Sequence, residues 1–220
     1  MLEKLKIILN KNKVSGLKNI EILKNVRLYK TKIKIDNGNY IILNDKSYLD
    51  NVEITIKGKN NRVIIGKNTK ITGKIEVKSN ESLIEIGDCS NIDSEIIIFS
   101  GDKNIISIGK GVKIYEGKLS SSYDNNFIKI GDGCLISNSI IRNNDAHKIY
   151  KNGLLINKGK GIEIKNRVWL AANTVVLKGV TINSGNIIGV GSIVTKDINN
   201  ENSIIVKGER VVEENIRWEE

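Results

Sequence analysis

Residues Ile162–Ile198, IEIKNRVWLAANTVVLKGVTINSGNIIGVGSIVTKDI, decide the fold. From Ile164 an aliphatic residue opens every block of six: Ile164, Leu170, Val176, Ile182, Ile188 and Val194. Four places into each block stand Val168, Thr174, Val180, Asn186, Ser192 and Ile198, most of them small or β-branched. Neither a 3.6-residue helix nor a simple alternating strand sustains a period of six. A parallel β-solenoid does, with one flat wall per block, three walls per coil, and inward side chains stacked from coil to coil at roughly the 4.8 Å strand spacing.

Upstream the same architecture runs at a longer period. NYIILN (39–44), NRVIIG (61–66), SLIEIG (82–87), NIISIG (104–109) and NFIKIG (126–131) are versions of one unit, and their starts step by 22, 21, 22 and 22 residues. Five positions after each comes an aliphatic residue: Leu49, Ile71, Ile92, Ile114 and Ile136. The spacing predicts that Ile65, Ile86, Ile108 and Ile130 share one face. The glycines ending these units mark corners that need positive φ or close backbone approach; with no helix following them, they do not make a phosphate site. A period near 22 suits either hand of β-helix. The regularity breaks after Ile136: Gly131 and its next counterpart, Lys165, are 34 residues apart, so about a dozen residues leave the coil. Solenoids carry such insertions as loops on one face, often the binding face. Residues 137–161 are therefore expected to be a protruding loop, between longer coils over 26–136 and hexapeptide coils over 162–206. Residues 1–25 form an N-terminal cap, with a short amphipathic helix through Leu2, Leu5, Ile8 and Leu9 covering the open end. Residues 207–220 form a C-terminal tail.

Composition limits the alternatives. The chain has 220 residues, enough for one domain with a sizeable core, few aromatics and no proline. Two cysteines 45 positions apart are no disulfide framework. Cys134 falls in an inward slot and reads as a reduced core thiol. The net charge of +10 is spread through the turns without interleaved aromatics, which argues against nucleic acid. A basic surface does suit phosphates or an anionic glycan. The N-terminus lacks a secretory signal pattern and no segment reaches the ~20 apolar residues of a membrane span, so a cytoplasmic protein is expected.

The run VWLAANTVVLKGVTI…IIGVGSIVTKDI, together with the upstream RNNDAHKIY, resembles the hexapeptide-repeat acyltransferases, and among them the bacterial surface-polysaccharide and sugar O-acetyltransferases. The close match covers about Arg142 to Val206. The resemblance implies an all-β fold, a left-handed parallel β-helix with short terminal helices, acting as a homotrimer on acetyl-CoA and a sugar, nucleotide-sugar or polysaccharide acceptor. Members of the group commonly end in Gly-Asn-Pro-Ala and a C-terminal helix, whereas here Gly208 is followed by Glu209-Arg210-Val211.

Acetyl transfer from a thioester to a hydroxyl needs a general base and a means of steadying the oxyanion. Histidine suits the first task. The chain has one histidine, His147, and it lies on the segment that resembles the catalytic loop. Two places earlier, Asp145 either orients the imidazole or holds the loop's own turn. Arg142, Asn144 and Lys148, beside them, are implied acceptor contacts. Trp169, next to inward Val168, should point outward, and an exposed tryptophan calls for something to cover it. In similar enzymes this position lies by the reacting thioester. Ala171, Ala172, Gly189 and Val190 would admit a thin pantetheine arm, with Thr195, Lys196 and Lys178 towards the phosphates. A zinc site of the β-helical carbonic anhydrase type needs three histidine ligands across a trimer, and one histidine per chain does not supply them, so no metal is expected. N-acetylation of an amino sugar and a non-catalytic scaffold are the competing readings.

Overall fold

The structure is a computed structural model that describes residues 12–207 and 210–219. The expected helix over 2–11 and the departure at Gly208–Glu209 lie outside the described residues. The remainder is a parallel β-solenoid in which each coil contributes strands to three walls.

One wall is a parallel sheet of eight strands: Ile20–Ile22, Tyr40–Leu43, Arg62–Ile65, Leu83–Ile86, Ile105–Ile108, Phe127–Ile130, Ile162–Ile164 and Thr181–Ile182. Five of these are the repeated units, and they stack in the expected register: Leu43 on Ile65, Ile65 on Ile86, Ile86 on Ile108, Ile108 on Ile130 and Ile130 on Ile164. Alternate residues point inward, so these isoleucines are fully or almost fully buried. The other two walls begin as one bent sheet. The long strands Tyr48–Lys57, Lys70–Lys78, Asn91–Ile98 and Lys113–Ser121 each cross both. At one bend Gly73 has φ +97°, and a Cβ there would lie 2.4 Å from the Ser94 carbonyl oxygen, so only glycine fits. From Leu135 upward the bend opens into a full corner. The first wall then holds Leu135–Ser137, Trp169–Leu170, Ile187–Ile188 and Ile204–Val206, and the second holds Ile140–Arg142, Val175–Val176 and Ile193–Val194. The hexapeptide period is the sequence trace of that change from a bent wall to three equal ones.

Three expectations need correction. The coils start before residue 26: Lys13–Val14 already pairs with Lys32–Ile35, and Ile20–Ile22 with Tyr40–Leu43. The excursion begins after Arg142 rather than at 137, because Ile140–Arg142 still pairs with Lys113–Ser121. In place of a C-terminal helix, Arg210–Glu213 folds back as a strand antiparallel to Ile204–Val206. The one helical element among the described residues is a 3-10 turn at Leu17–Asn19, and no described helix is long and apolar enough to cross a membrane. The corner glycines serve close approach: a Cβ on Gly66 or Gly87 would meet the backbone of the next coil's glycine at 2.5–2.6 Å.

Polar residues occupy the core at the corners, and most are paired; the Ser47 and Ser192 hydroxyls are buried without a partner. Cys134 stands in a column with Thr69 and Ser90, its Sγ donating to the Lys165 carbonyl at 3.1 Å, and burial pushes its thiol up to about 12. At the corner between the second and third walls a buried ladder climbs the solenoid. Asn61 Nδ2 donates to Asn39 Oδ1 (2.9 Å) and to the Ser79 carbonyl, while Asn61 Oδ1 accepts from Ser82 N–H. Ser82 Oγ accepts from Asn104 N–H, Asn104 Oδ1 from Ser121 Oγ, and Ser121 Oγ from Asn143 Nδ2 (2.8 Å). Asn61 is 0% exposed. Asn61→Ala should therefore cost about 1–3 kcal/mol for each group it orphans, read as a lowered urea midpoint. An unchanged midpoint would show that the ladder is not load-carrying at this rung.

Candidate active site

That ladder ends at the root of the loop. Asn143 and Asn144 are buried, and the chain leaves the corner immediately after them. Asn144 Oδ1 accepts from Ala146 N–H (2.9 Å), Ala146 takes φ +64°, and His147 N–H donates to the Asp145 carbonyl (2.7 Å). This tight turn puts a non-glycine residue in the left-handed region, a conformation that persists only where neighbouring bonds impose it. A short antiparallel hairpin follows, Tyr150–Lys151 against Leu154–Leu155, turning on Asn152 (φ 52°) and Gly153 (φ 75°). Asn-Gly is a strong short hairpin signal, and it turns the hairpin within the expected protruding loop. The arm exposes Ile149, Tyr150, Leu154 (71%) and Ile156.

Asn157, buried at the base of the arm, closes it. Its Nδ2 donates to the His147 carbonyl (2.7 Å) and to Asp145 Oδ2 (3.1 Å), and its Oδ1 accepts from Ile149 N–H (2.7 Å). Lys178, at the same corner one coil later, forms an ion pair with Asp145 Oδ2 and also donates to the Asn157 carbonyl. The Lys178 ammonium holds the Asp145 carboxyl below the usual carboxylate range, against a smaller opposing effect of burial and with help from Asn157 and Arg142. Lys178 is thus engaged with the loop rather than facing solvent. The His147 imidazole is exposed and makes no hydrogen bond among the described residues; Arg142, on the adjacent strand, keeps a buried Nε without a partner. Lys148, Thr195 and Lys196 are exposed at or near this corner.

Trp169 lies elsewhere, on the first wall. Its ring is half-buried under Trp218 of the tail, with centroids 6.0 Å apart and planes at 52°. Trp218 Nε1 donates to the Arg167 carbonyl (2.9 Å), and the Arg167 guanidinium returns a bond to the Trp218 carbonyl (3.2 Å). The cover that an outward tryptophan calls for comes from the chain's own tail, and no local pattern in the sequence signals it. Ala171 and Ala172 form the next corner, stacked beneath Gly189 to Gly191 through Gly191 N–H to the Ala172 carbonyl (2.9 Å). Val190, between the two glycines, is 71% exposed on this edge.

The expected site residues therefore form two groups. Arg142, Asn144, Asp145, His147, Lys148, Lys178, Thr195 and Lys196 gather at the corner between the second and third walls. Trp169, Ala171, Ala172, Gly189 and Val190 lie on the first wall and its far corner. In a three-walled prism that first wall faces away from the loop corner, so one chain does not bring the groups together. Among the described residues no cluster of three or more His, Cys, Asp or Glu is placed to hold a metal ion.

No model of a known protein family matches the chain. Individual relatives do. The chain is 32% identical over 146 residues to the polysialic acid O-acetyltransferase of Neisseria meningitidis, a match spanning 64% of this chain and 67% of that one. It is 32% identical over 132 residues to the galactoside O-acetyltransferase of Escherichia coli (strain K12), spanning 56% and 62%. Among solved structures, the polysialic acid-specific acetyltransferase NeuO superposes with a TM-score of 0.62 at 24% identity, over 92% of this chain and 90% of that one, a likeness of fold. With the repeat register and the parallel solenoid in place, these matches establish that the chain belongs to the hexapeptide-repeat O-acetyltransferase family.

Proposed function

We propose that the protein transfers an acetyl group from acetyl-CoA to a hydroxyl of a bacterial surface glycan, with His147 as general base and each site completed between neighbouring copies of a homotrimer. One observation carries the reading: the sole histidine is presented, ring free, on a loop whose backbone is fixed at every side by Asn144, Asp145 and Asn157. His147 takes the acceptor hydroxyl's proton as its oxygen attacks the thioester carbonyl. The C–O bond forms, the C–S bond breaks, and the same imidazole returns the proton to the departing thiolate.

The split of the site residues between opposite sides of the prism supports a shared site. So does the apolar arm, which leaves large side chains exposed on a projecting hairpin and fits a neighbouring wall. Two walls also enclose a ligand better than one.

Charge favours an anionic acceptor. Between Arg142 and Glu163 the loop carries Lys148, Lys151, Lys158 and Lys160, all exposed, and one acid, Asp145, already paired. The meningococcal relative is named for a polyanionic glycan. The deciding experiment is an acetyl-CoA-dependent mass-gain screen over polysialic acid, neutral galactosides and amino sugars. Polysialic acid should be the acceptor, with a KM that rises with salt, because exposed charge contacts are screened. Replacing the four loop lysines with glutamine should raise that KM on the order of tenfold. Acetylation of a neutral sugar alone, insensitive to salt, would refute the anionic acceptor; no acetyl-CoA binding by calorimetry would refute the enzyme.

A further inference from the structure

The sequence leaves Asp145 two roles, orienting the imidazole or holding the loop, and it directs Lys178 to coenzyme phosphates. The bonds in the structure join the two residues instead. Asp145 Oδ2 receives Lys178 Nζ and Asn157 Nδ2, and the Asp145 carbonyl receives His147 N–H. Asn157 grips the His147 carbonyl with the same amide nitrogen. Lys178 comes from the next coil, 33 residues beyond Asp145, and its side chain is 22% exposed. It is the point at which the turn carrying His147 is tied to the rigid solenoid. The charged groups that face Asp145 are Lys178 and, more distantly, Arg142.

We infer that Lys178 and Asn157 are positioning residues for His147 that act through Asp145, whose carboxylate anchors the loop and leaves the imidazole ring free. This rests on His147 being the base. An ammonium committed to a carboxylate and to the Asn157 carbonyl has little left to offer a phosphate. The solenoid core is complete without it, so cutting the tie displaces the loop and spares the coils. Small displacements suffice, since a misplacement of about 1 Å costs up to 100-fold in rate.

The test compares Lys178→Met, Asp145→Asn, the double variant and Lys178→Arg. The first two should each lower kcat on the order of 10- to 100-fold with unchanged acetyl-CoA affinity by calorimetry. The double variant should be no slower than the worse single, because both cut one tie. Lys178→Arg should recover most of the rate. A second readout needs no acceptor. With one histidine in the chain, the imidazole proton resonances report His147 alone, and Lys178→Met and Asp145→Asn should shift or broaden them alike. Weakened acetyl-CoA binding with intact saturating kcat in Lys178→Met would overturn the inference in favour of a phosphate contact. A slow Asp145→Asn beside a normal Lys178→Met would overturn it in favour of ring orientation. If the wild-type protein acetylates nothing, the assigned function fails on its own, and the imidazole spectrum still decides: signals unchanged in Lys178→Met refute the positioning role.

Discussion

His147→Ala should lower turnover by roughly 10²- to 10⁴-fold, the usual worth of a positioned general base. The loss should fall on kcat, with acetyl-CoA affinity by calorimetry near normal, because the small-residue corner of Ala171, Ala172, Gly189 and Gly191 stands apart from the loop. The fold should be untouched: the ring is exposed, and the turn that carries it is held by backbone and asparagine bonds that alanine keeps. Wild-type turnover should also decline in acid through the tie at Asp145. Its carboxyl is held below the ordinary range, so the anchoring it contributes is fully present above that range and is lost as pH falls through the lowered value. If His147 only shapes the acceptor pocket, alanine raises the acceptor KM and leaves saturating turnover normal. That result would remove the base while leaving the family and fold in place.

Two inactive variants should restore activity when mixed. One is His147→Ala, which spoils the loop corner. The other is Ala172→Trp, which sets a bulky ring over the corner proposed to take the pantetheine arm. Each alone is expected to be almost inactive. The shared site proposed above joins the loop of one copy to the small-residue corner of another. After co-refolding in equal amounts, half the loops and half the facing walls are intact, so about a quarter of wild-type activity should return. Against a single-variant background lowered 100-fold or more, that recovery is large. No recovery in species shown by mass to be mixed would mean that each chain holds its whole site, and the shared-site reading would fall.

The sequence by itself determined the solenoid. The inward ladder of Ile65, Ile86, Ile108 and Ile130 was legible because stacking converts a three-dimensional neighbour into a fixed sequence period, so register can be counted. The break at Ile136 and the lone histidine within the following insertion were legible for the same reason: an interruption shows against a regular background. The role of the asparagines that open the repeats was not. Their positions were visible, but only the folded corner shows Asn61 spanning from Asn39 to Ser82 and the ladder arriving at Asn143. Tertiary structure alone decided three further matters. Lys178 meets Asp145 across 33 residues, at an offset that the loop insertion takes out of the repeat. Trp218 reaches Trp169 because the tail reverses antiparallel after Val206, and a reversal has no period to betray it. The expected site residues divide between a corner and the wall opposite, because which wall a residue occupies follows from where the chain turns. Residues close in sequence along one coil, such as Trp169 and Lys178, end up on a wall and on the corner away from it.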